Sequence, residues 1–242
     1  MGRMRFRLIK PLHGWRSFLG EIAIIVIGVL IALGAQETLQ TLSDRRLVRE
    51  ARASIRAELG SNLAGMRSRD RIESCIQDRL SAIAAYLDEI RNGGDLIPVT
   101  WIGRPQLWLM STAAIEAAGS TGRLNLLPET EQLDYAAAYS SVRNFESNQR
   151  DEQNAWAQLR GIAGAKTVSS AQDADLRQAL QTARYVSWTL HLASLQVRQR
   201  LAKYRILSEV PDNGSRSVCI PMTTSFPDGV RLSGMSDVGE PR

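Results

Sequence analysis

Histidine and cysteine are nearly missing from this chain of 242 residues, which has two of each. His13 and His191 lie far apart, and Cys75 and Cys219 are 144 positions apart, so none of them falls into metal-ligand spacing. A phosphate loop is missing as well: Gly119-Ser-Thr-Gly122 lacks the lysine and the preceding strand that such loops need. No G-x-S-x-G elbow occurs. These gaps exclude the commonest metal, phosphate-loop and serine-nucleophile arrangements, and no cofactor or catalytic residue is assigned. Carboxylates do fall close together at Asp88-Glu89, Asp151-Glu152 and Asp173/Asp175. Each reads most simply as a solvated helix face or a first-turn match to the helix dipole. His191, alone in its segment, reads as a surface or satisfied core residue rather than a ligand.

Proline is missing over long stretches, between Pro11 and Pro98 and again between Pro128 and Pro211. An interior proline costs a helix about 3 kcal/mol, so these gaps permit long helices. Apolar residues fill them at three- and four-residue steps: Leu47, Ala51, Ile55, Leu59, Leu63 and Met66, then Ile72, Ile76, Leu80, Ile83, Leu87 and Ile90. Asn92-Gly93-Gly94 ends this run, and Gly60 and Gly65 are places where it could bend. A short helix is expected over Trp108–Ala118, ending at Gly119. A further helix starts at Pro128, with Leu133, Ala137, Phe145, Trp156 and Leu159 on or near one face. The last has a capping-box-like start at Ser170-Ala-Gln-Asp173 and carries Leu176, Leu180, Ala183, Leu190, Val197 and Leu201. Strand alternation is confined to Leu96–Ile102, which contains Pro98. The expected fold is all-α: an antiparallel bundle of three long helices and one short one.

Acidic residues are missing from the first 16 positions, which carry Arg3, Arg5, Arg7, Lys10 and Arg16. Phe18 to Ala35, FLGEIAIIVIGVLIALGA, follows at once. Its apolar core Ile22–Ala35 spans only about 21 Å as a helix, but the stretch from Phe18 spans about 27 Å, close to a hydrocarbon core of roughly 30 Å. Trp15 and Phe18 suit the aromatic belt. The rival reading is a cleaved signal peptide, with Ala32-Leu33-Gly34 as the small residues at the cut. Leucines continuing at helical spacing (Leu39, Leu42, Leu47) argue for an uncleaved anchor in a lipid bilayer. The positive-inside rule then keeps residues 1–16 cytoplasmic, with the anchor at 17–36, a helical bundle across the membrane at 37–208 and a loosely ordered tail at 209–242. Subtracting the five tail cations from 30 Lys+Arg leaves 25 against 25 Asp+Glu, so no basic face remains for a nucleic acid. Gly28 and Ala32 form a small-xxx-small pair that suits close packing of membrane helices.

With the bulk of the chain in an oxidising compartment, Cys75 and Cys219 are expected to pair; two unrelated thiols are the alternative. The densest aromatic composition is Trp101–Pro128, which holds Trp101 and Trp108. Tyr135, Tyr139, Trp156, Tyr185 and Trp188 on later helices could face it as a binding pocket, or these rings could simply be core.

Phe18-Leu-Gly-Glu21-Ile22 running into Ile27-Gly28-Val-Leu-Ile31-Ala32-Leu33 resembles the start of an uncharacterised family of bacterial single-pass membrane proteins. Ala117-Ala-Gly119 and Gly122-Arg-Leu124-Asn-Leu126 are similar to a short helix and apolar run further along that family. The resemblance implies an uncleaved anchor in the bacterial inner membrane, with a periplasmic domain, and carries no activity. The leading expectation is a non-enzymatic protein that binds itself or another envelope protein. The alternatives are an extracytoplasmic ligand sensor relaying through a membrane partner, and an enzyme with an unrecognised carboxylate site.

Overall fold

A computed structural model describes residues 15–94, 99–165, 167–206 and 217–224. The basic residues of the tail before Trp15, and most of the stretch 209–242, lie outside the described residues. The fold is all-α: α1 is Trp15–Arg71, α2 Glu73–Arg91, α3 Ala113–Ser120, α4 Glu129–Leu159 and α5 Ser170–Leu201. No strand occurs among the described residues. The chain divides into two compact units, Met1–Glu50 and Ala51–Arg242.

In the first unit, α1 is long and apolar enough from Phe18 onward to cross a membrane. Its large side chains are exposed all round, Ile24 at 73% and Ile31 at 67%. Burying a side chain of this kind is worth about 1.5–3 kcal/mol, and none of that gain is realised within the protein along this stretch. Trp15 and Phe18 meet edge to face with ring centroids 6.3 Å apart at the start of the stretch.

In the second unit, Ala51, Ile55, Leu59, Leu63 and Met66 bury one stripe of α1, and Ile76, Leu80, Ile83 and Leu87 bury one stripe of α2. The expected single helix is therefore two. The break falls at Ile72 (φ −102°, ψ 9°), not at Gly60 or Gly65. Ile72 is itself buried, so the helix is interrupted without losing its apolar register. Gly65 has a different use: a Cβ there would stand 3.2 Å from the Trp108 Cβ and 3.2 Å from the Met110 Cε. Asn92-Gly93-Gly94 ends α2 as expected. Gly93 takes φ +72°, and the Gly94 N–H bonds back to the Glu89 carbonyl at 3.0 Å.

Ion pairs fix the directions of the helices. Arg52 meets Glu131 and Arg69 meets Glu152, so α1 and α4 run the same way. Arg177 of α5 meets Asp88 of α2, while Lys203, just after α5, meets Asp134 of α4. α5 is thus the antiparallel partner of both. Two long helices can run in parallel only if the chain returns between them, and residues 99–112, which carry no helix, make that return. Going from Ile102 to Ala114 takes 12 steps, about 40 Å when extended, while α1 and α2 use 21 residues between Glu58 and Arg79, about 32 Å.

The return segment is held by buried amide side chains. Gln149 accepts from the Trp108 N–H and donates to the Trp108 carbonyl, both at 2.9 Å. Asn62 does the same for Ser111 at 2.9 and 2.8 Å. This pairing, which mimics one rung of a sheet, holds Trp108 and Ser111 outside any helix, and the short helix begins at Ala113, later than expected. Gln149→Leu removes both bonds and leaves two backbone groups unpaired. We expect a loss of about 2–3 kcal/mol in chemical denaturation, with Gln149→Glu also destabilised because it cannot donate.

Two helix starts shift by one residue from expectation. Pro128 is the N-cap of α4 and not its first residue. Ser169 caps α5, accepting from the Gln172 N–H at 3.3 Å while the Gln172 side chain accepts from the Ser169 N–H at 3.0 Å. On α4, Leu133 is 64% exposed, and the core face consists instead of Tyr135, Ala138, Tyr139, Val142 and Phe145.

Of the expected C-terminal tail, residues 217–224 are tied back to α2 and the return segment. Cys219 is bonded to Cys75 with Cα atoms 4.9 Å apart, and Val218 is buried with Ile76, Leu80 and Ile102. The Arg79 guanidinium donates to the carbonyls of Trp101, Ile102 and Ile220. The Trp101 indole N–H donates to the Ser217 carbonyl at 2.7 Å. Gly103 (φ +70°) admits the segment, since a Cβ there would lie 2.6 Å from the Ser217 carbonyl oxygen.

Candidate functional site

The most concentrated charge in the interior sits where α1 hands over to α2. Arg69 is in the last turn of α1 and Glu73 in the first turn of α2, so four-residue spacing brings them together across the break at 2.5 Å. Arg69 also reaches Glu152 of α4 at 2.7 Å and the Ser187 Oγ of α5 at 3.0 Å. Gln77 and Ser187 both donate to the Glu73 carboxylate, at 2.6 and 2.9 Å. Four helices therefore meet on one guanidinium. Arg69, Glu152 and Ser187 are essentially excluded from solvent. The Asp151-Glu152 pair does not behave as a solvated face: Asp151 is exposed, but Glu152 is buried.

Two carboxylates share one cation here, and their surroundings separate them. Burial, helped by the negative charge of Glu73, pushes the Glu152 carboxyl above the usual carboxylate range against the pull of Arg69. Burial also opposes ionisation of Glu73, but Arg69, Gln77 and Ser187 together hold its carboxyl below that range. Arg69 loses to burial and gains more from the two acids, so its affinity for its proton rises.

The two groups then act oppositely on stability. A raised carboxyl pKa means the folded state loses stability as pH rises through it. A depressed one means stability is present above the ordinary carboxylate range and is lost as pH falls through the lowered value. We expect Glu152→Gln to remove a decline on the higher-pH side and Glu73→Gln to remove a loss on the acid side. Thermal melts from roughly pH 3 to 8 check this; profiles parallel to the parent in both variants would contradict it.

Further polar clusters tie elements together. Glu58 accepts from the Ala114 N–H at 3.0 Å, the Ser111 hydroxyl at 2.5 Å and the Tyr139 hydroxyl at 2.6 Å, so a carboxylate on α1 caps α3. Burial and that carboxylate push the Tyr139 hydroxyl upward. His191 is not alone: its Nδ1 lies 3.2 Å from Asp70, which also binds Ser194 at 2.7 Å and Arg198 at 3.1 Å.

The aromatic residues singled out by sequence are divided among different packing neighbourhoods. Tyr135, Tyr139 and Trp156 are buried at 0–1% exposure. Tyr135 packs against Tyr204 at 5.3 Å, and Trp156 belongs to the core that α2, α4 and α5 share. Trp101 and Trp108 are half-buried in the return segment, whereas Trp188 is 59% exposed on α5. The core reading describes the buried three. Gly28 and Ala32 lie exposed on the apolar stretch of α1.

A concavity does exist elsewhere. It is an open groove of about 910 Å³ along the seam of α4 and α5, floored by Ala155, Ile162, Leu176, Ala179 and Val186. Asp151, Asn154, Gln158, Asp175, Gln178 and Tyr185 stand at its edges. Among the described residues no group of three or more His, Cys, Asp or Glu could hold a metal ion. The chain matches no protein-family model, no curated protein and no solved structure.

Proposed function

We propose that this is a single-pass protein of the bacterial inner membrane that acts as a non-enzymatic interaction or scaffolding protein of the envelope. Its basic tail is cytoplasmic and its helical unit periplasmic. The observation that carries this reading is α1, whose apolar stretch from Phe18 is exposed all round. The Cys75–Cys219 pair suits an oxidising compartment. The resemblance to the single-pass family points the same way.

For binding itself, α5 offers Tyr185, Trp188 and Leu192, all exposed and three to four residues apart, with the two rings 6.3 Å from each other. Exposed aromatic surface of this kind is enriched at protein interfaces. A photoreactive residue at Trp188 or Leu192 in living cells is expected to give a discrete adduct with a second copy or with one envelope protein. If neither position gives an adduct, and none forms from Gly28 or Ala32, the interaction reading fails.

The α4–α5 groove favours a second reading, a periplasmic ligand-sensing domain that relays through a membrane partner.

A further inference from the structure

We propose that the groove between α4 and α5 binds a saccharide. The inference rests on the ligand-binding reading of that groove and is independent of membrane orientation. Its volume of about 910 Å³ is that of a site for a ligand larger than one small metabolite. The edges are polar in a particular way. Asn154, Gln158 and Gln178 carry amides that donate and accept at once, while Asp151 and Asp175 accept only. No Lys, Arg or His is among the described residues that line the groove.

A sugar answers this set from every side. Each of its hydroxyls both donates and accepts, so adjacent hydroxyls can fill an amide edge or both oxygens of a carboxylate. Its ring also has an apolar C–H face. Small floor residues, Ala155 and Ala179, leave depth for a ring to lie against the seam. At the end away from the α4–α5 connection stands Tyr185, 66% exposed and tilted 37° to Trp188, a platform for that C–H face. Local bonds leave the polar groups free to act. Gln172 gives its carbonyl oxygen to the helix cap and keeps its amide donors for the groove. Thr182 gives its proton to the Gln178 carbonyl and keeps its lone pairs. A cationic amphiphile would also satisfy the two acids but would leave the amide donors unused, which makes it the rival to exclude.

The test uses the full chain in lipid nanodiscs. Tetrasaccharides of glucose, of N-acetylglucosamine and of its deacetylated form are titrated, with dodecyltrimethylammonium alongside. Tryptophan fluorescence and saturation transfer to the sugar C–H protons report binding. At least one tetrasaccharide is expected to bind and receive transfer. Tyr185→Ala should weaken it at least 10-fold, Tyr185→Phe should stay within about threefold, and Thr182→Trp should abolish binding by filling the groove. These positions are exposed, and unchanged circular dichroism verifies that the variants fold. Silence from every tetrasaccharide, affinity unmoved by both Tyr185→Ala and Thr182→Trp, or binding of the alkylammonium alone would overturn the proposal. Topology fusions and this titration fail separately, so loss of one reading is not mistaken for loss of the other.

Discussion

Arg69→Ala is expected to be among the most damaging single substitutions in the protein, costing about 3–5 kcal/mol. The guanidinium is 2% exposed and holds Glu152 at 2.7 Å and Glu73 at 2.5 Å. Removing it leaves one carboxylate with no exposure facing another of the same charge, and four helices lose their common contact. For a chain of this size the loss corresponds to a fall in Tm of roughly 6–20 °C. The reason is the stranded charge and not the value of the ion pair as such. Replacing Arg69 and Glu152 together by leucine should therefore recover most of the loss, because Glu73 is partly exposed and can turn to water. Thermal melts of the single and double variants in detergent decide the point. A double variant as unstable as Arg69→Ala would mean that the network contributes net stability beyond avoiding an unpaired charge.

Loss of the disulfide is the second large effect. Replacing both Cys75 and Cys219 by serine frees a loop with a sequence separation of 144, worth about 4–5 kcal/mol on the chain-entropy account and 2–5 in typical proteins. The same segment is held by Arg79, whose guanidinium donates to three backbone carbonyls with burial pulling its pKa down. Arg79→Ala should destabilise on its own, since those carbonyls lose their charged donor. The two losses should fall short of additive when combined, because a segment that has already left gains nothing from the second contact. Denaturation of parent, Arg79→Ala, the double serine variant and their combination measures that coupling. Strict additivity would contradict the view that both hold residues 217–224 against Trp101 and Ile102.

The features legible in the sequence are those carried by period or by scarcity. Ile76, Leu80, Ile83 and Leu87 announce their stripe because helical spacing is local, and all four are buried. Cys75 and Cys219 could be paired because no other cysteine competes. The buried charge network could not be read in the same way. Arg69 and Glu152 are 83 positions apart, and each looks locally like one more surface charge on a helix. Only the return of the chain between two parallel helices brings α1 and α4 side by side.

Gln149 and Asn62 hide for a related reason: their partners are backbone groups of Trp108 and Ser111, which have no sequence signature. That is also why Trp108–Thr112 looks helical by composition and is not helical in the fold. Aromatic content misleads in the same manner. Tyr135, Tyr139 and Trp156 gather in sequence arguments because they are rare, but their buried positions divide them among different packing neighbourhoods. The groove joins Asp151 of α4 to Asp175 of α5 through alanines and glutamines that carry no sequence signature, so the two acids look locally like separate solvated pairs.

The proposed compartment depends on which side of a membrane residues 51–242 would occupy. Fusions of the full chain, at its C-terminus, to alkaline phosphatase and to a fluorescent protein that matures only in the cytoplasm measure this directly. The account predicts active phosphatase, dark fluorescence, and a Cys75–Cys219 bond that resists thiol alkylation until reductant is added. Silent phosphatase with bright fluorescence would contradict it.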